Sequence, residues 1–182
     1  MTLDPDVLKA ISRLSRPRAT EELLMRHGVS AEPDAAFDEI ADRLAEETGF
    51  PYAMVDFHLD RQRFAGLHNP PRESGLPIVG REMDISHGWC PHVVNRKLGL
   101  PLHDVHASRL YSGNPVVDAI GINSYYGEPV TYPGTEVVIA TVCVIDQKKH
   151  RIEESDRLME IVERGAADAI RDLLRRPVLS MP

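Results

Sequence analysis

Apolar positions in the first third of the chain recur at helical spacing. In "DPDVLKAISRL" the residues Val7, Leu8, Ile11 and Leu14 share one side behind an acid and a proline, which predicts a short amphipathic helix. "ATEELLMRHG" predicts a second helix, opened by Thr20 as a cap and closed by Gly28. After the linker "VSAEPD", the segment "DAAFDEIADRLAEETG" carries the clearest stripe: Phe37, Ile40, Ala41, Leu44 and Ala45, with Gly49 as its stop. The period then shortens to two, or gives way to continuous apolar runs. "YAMVDFHLD", residues 52 to 60, predicts a strand and "RQRFAGLHN" its hairpin partner. Residues 70 to 85, rich in proline and glycine, predict a loop. "LGLPLHDV", 98 to 105, carries a short strand, and "SRLYSGNPVVDAIGI" is irregular with one helical turn. "SYYGEPV" and "EVVIATVCVID" are strands joined by the turn "TYPGT". A final helix from about Glu153 to Arg176 places Leu158, Ile161, Val162, Ala166, Ala169, Ile170 and Leu173 on one face, with acids at its start and arginines at its end, as its dipole favours.

Helices, a hairpin, loops with short elements, two more strands and a long helix form the pattern of an α+β protein, an antiparallel sheet with helices packed on it. No internal repeat or low-complexity tract interrupts it. The expected organisation is an N-terminal helical arm over 1–32, one domain over 33–176 and a short tail over 177–182. At 182 residues the chain suffices for one sizeable core.

Charge and composition remove several function classes. A net charge of -7 disfavours nonspecific attraction to nucleic acid or anionic lipid. The basic "RDLLRR" near the C-terminus reads as cations at a helix end. No apolar run approaches the roughly 18 residues of a membrane span, and "MTLDPDVLKA" has no apolar signal core, so a cytoplasmic protein is expected. The two cysteines, Cys90 and Cys143, lie far apart without a CxxC pair. That argues against a disulfide framework and a zinc knuckle and for reduced thiols.

The most concentrated chemistry is "DISHGWCPHVV", residues 84 to 94, where Cys90 sits beside Trp89 and between His87 and His92. As a nucleophile Cys90 needs a lowered pKa and a base within reach. As a buried side chain it is a small hydrophobe. Cys143, inside "VVIATVCVID", reads as core. His103 and His106 flank Asp104, and with His87, His92 and Cys90 they offer imidazoles to a metal or haem, although HxxH spacing in irregular chain is a weak signal. The expectation is no metal site, and the sequence names no cofactor.

Four ordered segments, "GWCPHVV", "LPLHDVHASRLYSGNPVV", "INSYYGEPV" and "ATVCVIDQKKHRI" with the final helix, resemble the GAF domains, small-molecule sensory modules related in shape to PAS domains. The likeness runs from about Phe37 to Leu174. In many bacterial members these segments read Ser-Phe-Cys-x-His, Asp-x-x-x-Asp-x-Arg-Phe-x-x-Asn-Pro-x-Val, Phe-Tyr-Ala-Gly-x-Pro-Leu and Gly-Thr-Leu-Cys-Val-Ile-Asp. Here "SRLY" replaces part of the second, and Ala140-Thr141 replace the Gly-Thr of the last. The resemblance implies a six-stranded antiparallel sheet with helices on one face and pocket-forming loops on the other. It also implies that helices at the two ends of the domain pair two protomers into a homodimer, while the arm before them caps the domain or swaps onto a partner.

The resulting expectation is a non-enzymatic, stand-alone bacterial sensor that binds a small molecule of unknown identity beneath the 98–126 segment. It signals occupancy through its terminal helices to a partner protein. The expected ligand-binding residues are Trp89, Cys90, His92, Asp104, Arg109, Tyr111, Asn114, Tyr125 and Tyr126; strand alternation offers a competing account of the adjacent tyrosines, with one facing inward and one outward. Two alternatives remain: a thiol enzyme of the methionine sulfoxide reductase type or a haem- or bilin-binding sensor, and a dimeric scaffold without a ligand. Bilin-binding relatives usually carry a histidine directly after the anchoring cysteine, where this chain has Pro91.

Overall fold

The computed structural model describes residues 3–179. The first two residues of the expected arm and the last three of the expected tail therefore lie outside the described residues. Six strands form one antiparallel sheet in the order β3-β2-β1-β6-β5-β4. They are β1 (Tyr52–His58), β2 (Gln62–His68), β3 (Glu82–Met83), β4 (Leu100–Leu102), β5 (Ser124–Thr131) and β6 (Val138–Asp146). The α+β architecture expected from the sequence is present. β3 falls in the segment read as loop, because a two-residue edge strand is too short to display a period.

One face of the sheet carries helices α1 (Pro5–Ile11), α2 (Arg16–Arg26) and α3 (Ala35–Thr48), together with the long α7 (Ser155–Arg175). Asp34 caps α3 by accepting from the Ala36 amide, and Gly49, at φ 74°, closes it in the left-handed conformation that favours glycine. The predicted stripe of α3 is buried in full, and so is the stripe of α7 from Leu158 to Leu173 except the half-buried Ile170. α3 and α7 approach closely where Gly165 meets Leu44; a Cβ on Gly165 would lie 2.9 Å from that side chain. Beyond the end of α7, Arg176 grips Asp34 at 2.7 and 3.0 Å and lies 5.0 Å from the centre of the Phe37 ring. That bidentate pair joins the last turn of one helix to the cap of another.

The N-terminal arm is not a separate unit, because Ile11, Leu23 and Leu24 belong to the same buried cluster as Phe57, Tyr132 and Ile139 on the sheet. His27 Nε2 meets the Tyr132 hydroxyl at 2.8 Å. α2 begins at Arg16 after Ser15, earlier than the predicted Thr20 cap, and Thr20 is buried inside it. The proline in its first turn, Pro17, supplies the start. Among the described residues no helix is long and apolar enough to cross a membrane.

Glu128 on β5 faces this helical layer. Burial, reinforced by Glu163 on α7, pushes its carboxyl up to about 7. A carboxyl raised in the folded state adds stability in full below its unfolded value, near 4.5, and loses it as pH rises through about 7. Glu128→Gln should therefore leave stability at pH 5 nearly unchanged and raise it at pH 8. The gain should be about 1 kcal/mol, discounted for solvent screening of a half-exposed group. Urea denaturation of both proteins at the two pH values checks this; parallel pH profiles would refute it.

Candidate functional site

The opposite face of the sheet is built by strand alternation. Tyr52, Met54, Asp56 and His58 of β1 point there, as do Thr141, Cys143 and Ile145 of β6 and Tyr125 of β5. Their alternating neighbours Ala53, Val55, Phe57, Val142 and Val144 face the helices. A bulge in the pairing of β1 with β2 falls between Val55 and Asp56, the kind of irregularity that re-aims side chains beside functional sites.

Chain from β3 to β5 covers this face with α4 (Cys90–Arg96), α5 (Arg109–Ser112) and α6 (Pro115–Ile120). Two amide side chains hold the cover in place. Gln62 donates to the carbonyls of Asp84 and His87 at 2.6 and 2.7 Å. Asn114 accepts from the Gly88 amide at 3.0 Å, donates to the Gly88 carbonyl at 2.6 Å, and caps α6 through the Val116 amide. Gly88 has φ 72°, so the chain turns sharply just before Trp89 and drives both Trp89 and Cys90 inward.

Between cover and sheet lies a cavity of about 100 Å³. Its walls are mainly apolar, formed by Met54, Phe64, Trp89, Tyr125 and Ile145, with the thiols of Cys90 and Cys143 among them. An apolar cavity of about 150 Å³ admits benzene, so this one suits a smaller group as it stands.

The cavity takes three of the nine expected residues: Trp89, Cys90 and Tyr125. Tyr126 faces the helices, with its hydroxyl 3.2 Å from Ser155, so alternation divides the tyrosine pair between the two faces. Asn114 acts on the cover rather than on the cavity. Asp104 caps a turn through the His106 amide and pairs with Lys149 at 2.8 Å near the surface. Arg109 is exposed. His92 is half-buried on α4 and meets the Tyr111 ring edge-on at 5.3 Å, while the Tyr111 carbonyl accepts from the Trp89 indole at 3.2 Å. His92 and Tyr111 support the cover and do not line the cavity. The roof comes from residues 79–90 and 116–120 more than from the whole 98–126 segment.

Sequence reading missed the acid-base chemistry behind the thiols. Asp56 and His58 are both buried, with His58 Nε2 3.0 Å from Asp56 Oδ2. Their ligand atoms and Cys90 Sγ lie within 4.8 Å of one another. Cys90 Sγ lies 3.6 Å from Cys143 Sγ and accepts from the Tyr125 hydroxyl at 3.3 Å. The interaction with Cys143 holds the Cys90 thiol well below its ordinary value, against its burial and with help from His58. The same contact and burial push the Cys143 thiol up, and burial with the nearby sulfurs pushes the Tyr125 phenol up. Burial raises the Asp56 carboxyl to about 7 against the pull of His58. Burial opposes charge on His58, but Asp56 prevails and lifts it to about 9. The resulting arrangement brings a thiol held low, an imidazole held high and a raised carboxyl together beneath an apolar chamber. The available signal was the in-phase alternation of Asp56 and His58 with Tyr52 and Met54.

A six-stranded antiparallel sheet with helices on one face and a roofed chamber on the other defines an α+β module with a small internal cavity. The GAF domain family model matches residues 32–170, and the chain belongs to that family. Solved structures agree on the fold. The GAF domain of an Acinetobacter phosphoenolpyruvate-protein phosphotransferase superposes with a TM-score of 0.56 at 13% identity, covering 85% of this chain and 90% of that one. A free methionine-R-sulfoxide reductase from Neisseria meningitidis, solved with its substrate, gives 0.52 at 14% identity, covering 94% and 95%. The blue-light-absorbing form of the Thermosynechococcus elongatus PixJ GAF domain gives 0.56 at 12% identity, covering 85% and 90%. At these identities the likeness establishes the fold alone. No curated protein matches the chain.

Proposed function

We propose that this GAF domain is a non-enzymatic regulatory module whose chamber takes a small, largely apolar molecule and whose occupancy is read out by a partner protein through α3 and α7. The observation that carries this reading is the chamber itself: about 100 Å³, mostly apolar, on the far side of a single sheet from the terminal helices. β1 and β6 contribute side chains to both faces in alternation, so any displacement of Met54 or Cys143 by a ligand acts on strands that also carry α3 and α7. Such a ligand biases the helices by its difference in affinity for two sheet arrangements. A homodimer built on α3 and α7 would use their charged outer faces, where Arg43 pairs with Asp168 and Arg164 with Glu47, because the apolar stripes are spent on the sheet.

A thermal-shift screen of small metabolites, followed by native mass spectrometry of the hits, tests the reading. A ligand at about 100 times its dissociation constant should add roughly 2.7 kcal/mol, and a chamber-filling Cys143→Phe variant should lose the shift. Shifts that survive Cys143→Phe would refute binding in the chamber. A second reading, a thiol-dependent reductase, is favoured by the Cys90–Cys143 approach at 3.6 Å. Turnover of free methionine sulfoxide that disappears in Cys90→Ser would establish it and displace the first.

A further inference from the structure

We infer that Asp56, His58 and Cys90 form a binding site for a divalent transition metal of the zinc type. The site stands independently of any organic ligand in the chamber. Each residue is buried, and one donor atom from each lies within 4.8 Å of the other two. The donor set is one carboxylate, one imidazole and one thiolate, a mixture that suits a borderline-soft ion such as zinc rather than magnesium or calcium.

Two observations separate this cluster from an ordinary ion pair. Apart from the approach of His58 Nε2 to Oδ2, neither carboxylate oxygen of the fully buried Asp56 has a hydrogen-bond partner. Buried polar groups are nearly always satisfied, and a buried carboxylate left bare is costly. Further, His58 Nε2 stands 3.0 Å from Asp56 Oδ2 and 3.5 Å from the Thr141 hydroxyl. Once both groups are deprotonated, such a nitrogen–oxygen contact is one edge of the coordination shell of a shared ion. Metal bonds of about 2.0–2.1 Å at a tetrahedral angle give such an edge a length near 3.3 Å.

Charge supports three ligands. A dication with carboxylate, thiolate and neutral imidazole sums to zero, which a low-dielectric interior tolerates, whereas a second thiolate would leave a net negative charge there. Cys143 therefore stays outside the set although its sulfur approaches Cys90. Three protein ligands leave a fourth position for water or an exchangeable ligand, and of the three only Cys90 lines the chamber. Binding releases whatever protons Cys90, His58 and Asp56 still hold.

The test is cobalt(II) titration of the reduced, chelator-stripped protein, read by absorption and followed by zinc competition. The expected result is a near-ultraviolet sulfur-to-cobalt charge-transfer band with intense visible bands of four-coordinate cobalt, saturating at one ion per chain and abolished by zinc. Asp56→Asn, His58→Gln and Cys90→Ser should each lose stoichiometric binding, while Cys143→Ser keeps it. A wild-type protein without the charge-transfer band, or a Cys143→Ser variant that loses binding as completely as Cys90→Ser, would overturn the site. Should the ligand variants fail to fold, X-ray absorption of the zinc-loaded wild type decides. One sulfur with nitrogen and oxygen scatterers supports the assignment, and a shell without sulfur, or with two, refutes it.

Discussion

Gly66→Ala should lower the stability of this protein by about 3 kcal/mol or more. Gly66 lies on β2 beneath the first turn of α3, and a Cβ there would stand 2.3 Å from the Phe37 carbonyl oxygen and 2.6 Å from its carbon. Those atoms are backbone, so no rotamer change relieves the clash. α3 cannot retreat easily either. Its cap residue Asp34 donates its amide to the Ala65 carbonyl at 2.9 Å, and Asp38 accepts from the Leu67 amide at 2.9 Å while paired with Arg81. The helix is therefore tied to the strand on both sides of the intruding methyl. Overpacking of well-packed interiors costs typically about 1–3 kcal/mol, and a backbone obstacle puts this case at the upper end or beyond. At roughly 2–4 °C per kcal/mol for a chain of this size, the melting temperature should fall by about 10 °C. Gly113→Ala is the control: a methyl added there meets no atom within 4 Å and its φ is negative, so stability should hold within about 0.5 kcal/mol. Paired thermal and urea unfolding decides, and a Gly66→Ala variant within about 1 kcal/mol of wild type would show that α3 slides freely on the sheet.

Most of the scaffold was legible because each large element repeats its own period. The stripes of α3 and α7 and the alternation of β1, β5 and β6 each extend over several residues, and every apolar stripe position is buried or half-buried as the period requires. The misses are short or nonlocal. β3 has two residues and α4 only seven, headed by a tryptophan that makes no side-chain cap, so neither left a periodic trace. Asn114 was legible as a residue that matters but not for its partner, because the Gly88 it holds lies 26 positions away in sequence. Asp104 and Arg109 attracted notice through the family pattern, yet the chain around them turns outward.

Asp56 and His58 escaped for a different reason. Polar residues inside a strand usually mark its solvent side, and these two share a side with Tyr52 and Met54 that only the covering loops turn into an interior. Periodicity alone does not display that residues 79–120 fold back over this face; only the family resemblance implied loops there. Once they do, Asp56, Thr141 and Cys143 become neighbours through the register of β1 with β6, which sets Asp56 opposite Thr141 and Met54 opposite Cys143. The site is a product of sheet pairing and not of any local motif.

Trp89→Ala should destabilise the protein by about 3–5 kcal/mol and convert the chamber into a receptor for indole. The Trp89 side chain is fully buried, its ring centre lies 5.6 Å from that of Tyr125, and its indole nitrogen donates to the Tyr111 carbonyl. Large-to-small substitutions cost least where neighbours collapse into the gap. Here the adjacent space is already open, so the deleted volume merges with the chamber and Tyr125 and Phe64 have no packed neighbour to follow inward. The enlarged space matches the lost side chain in shape and retains the Tyr111 carbonyl as acceptor for an indole N–H. Indole at about ten times its dissociation constant should restore roughly 1.4 kcal/mol to Trp89→Ala and nothing to the wild type, whose chamber is too small to admit it. Trp89→Phe, which refills most of the apolar volume and forfeits the hydrogen bond, should fall between the two. Thermal unfolding of the three proteins with and without indole reads all of these effects. Equal shifts in wild type and Trp89→Ala would mean that indole binds elsewhere, and a loss below about 1 kcal/mol would mean that the cover collapses onto the sheet, leaving the chamber without the rigidity a ligand site needs.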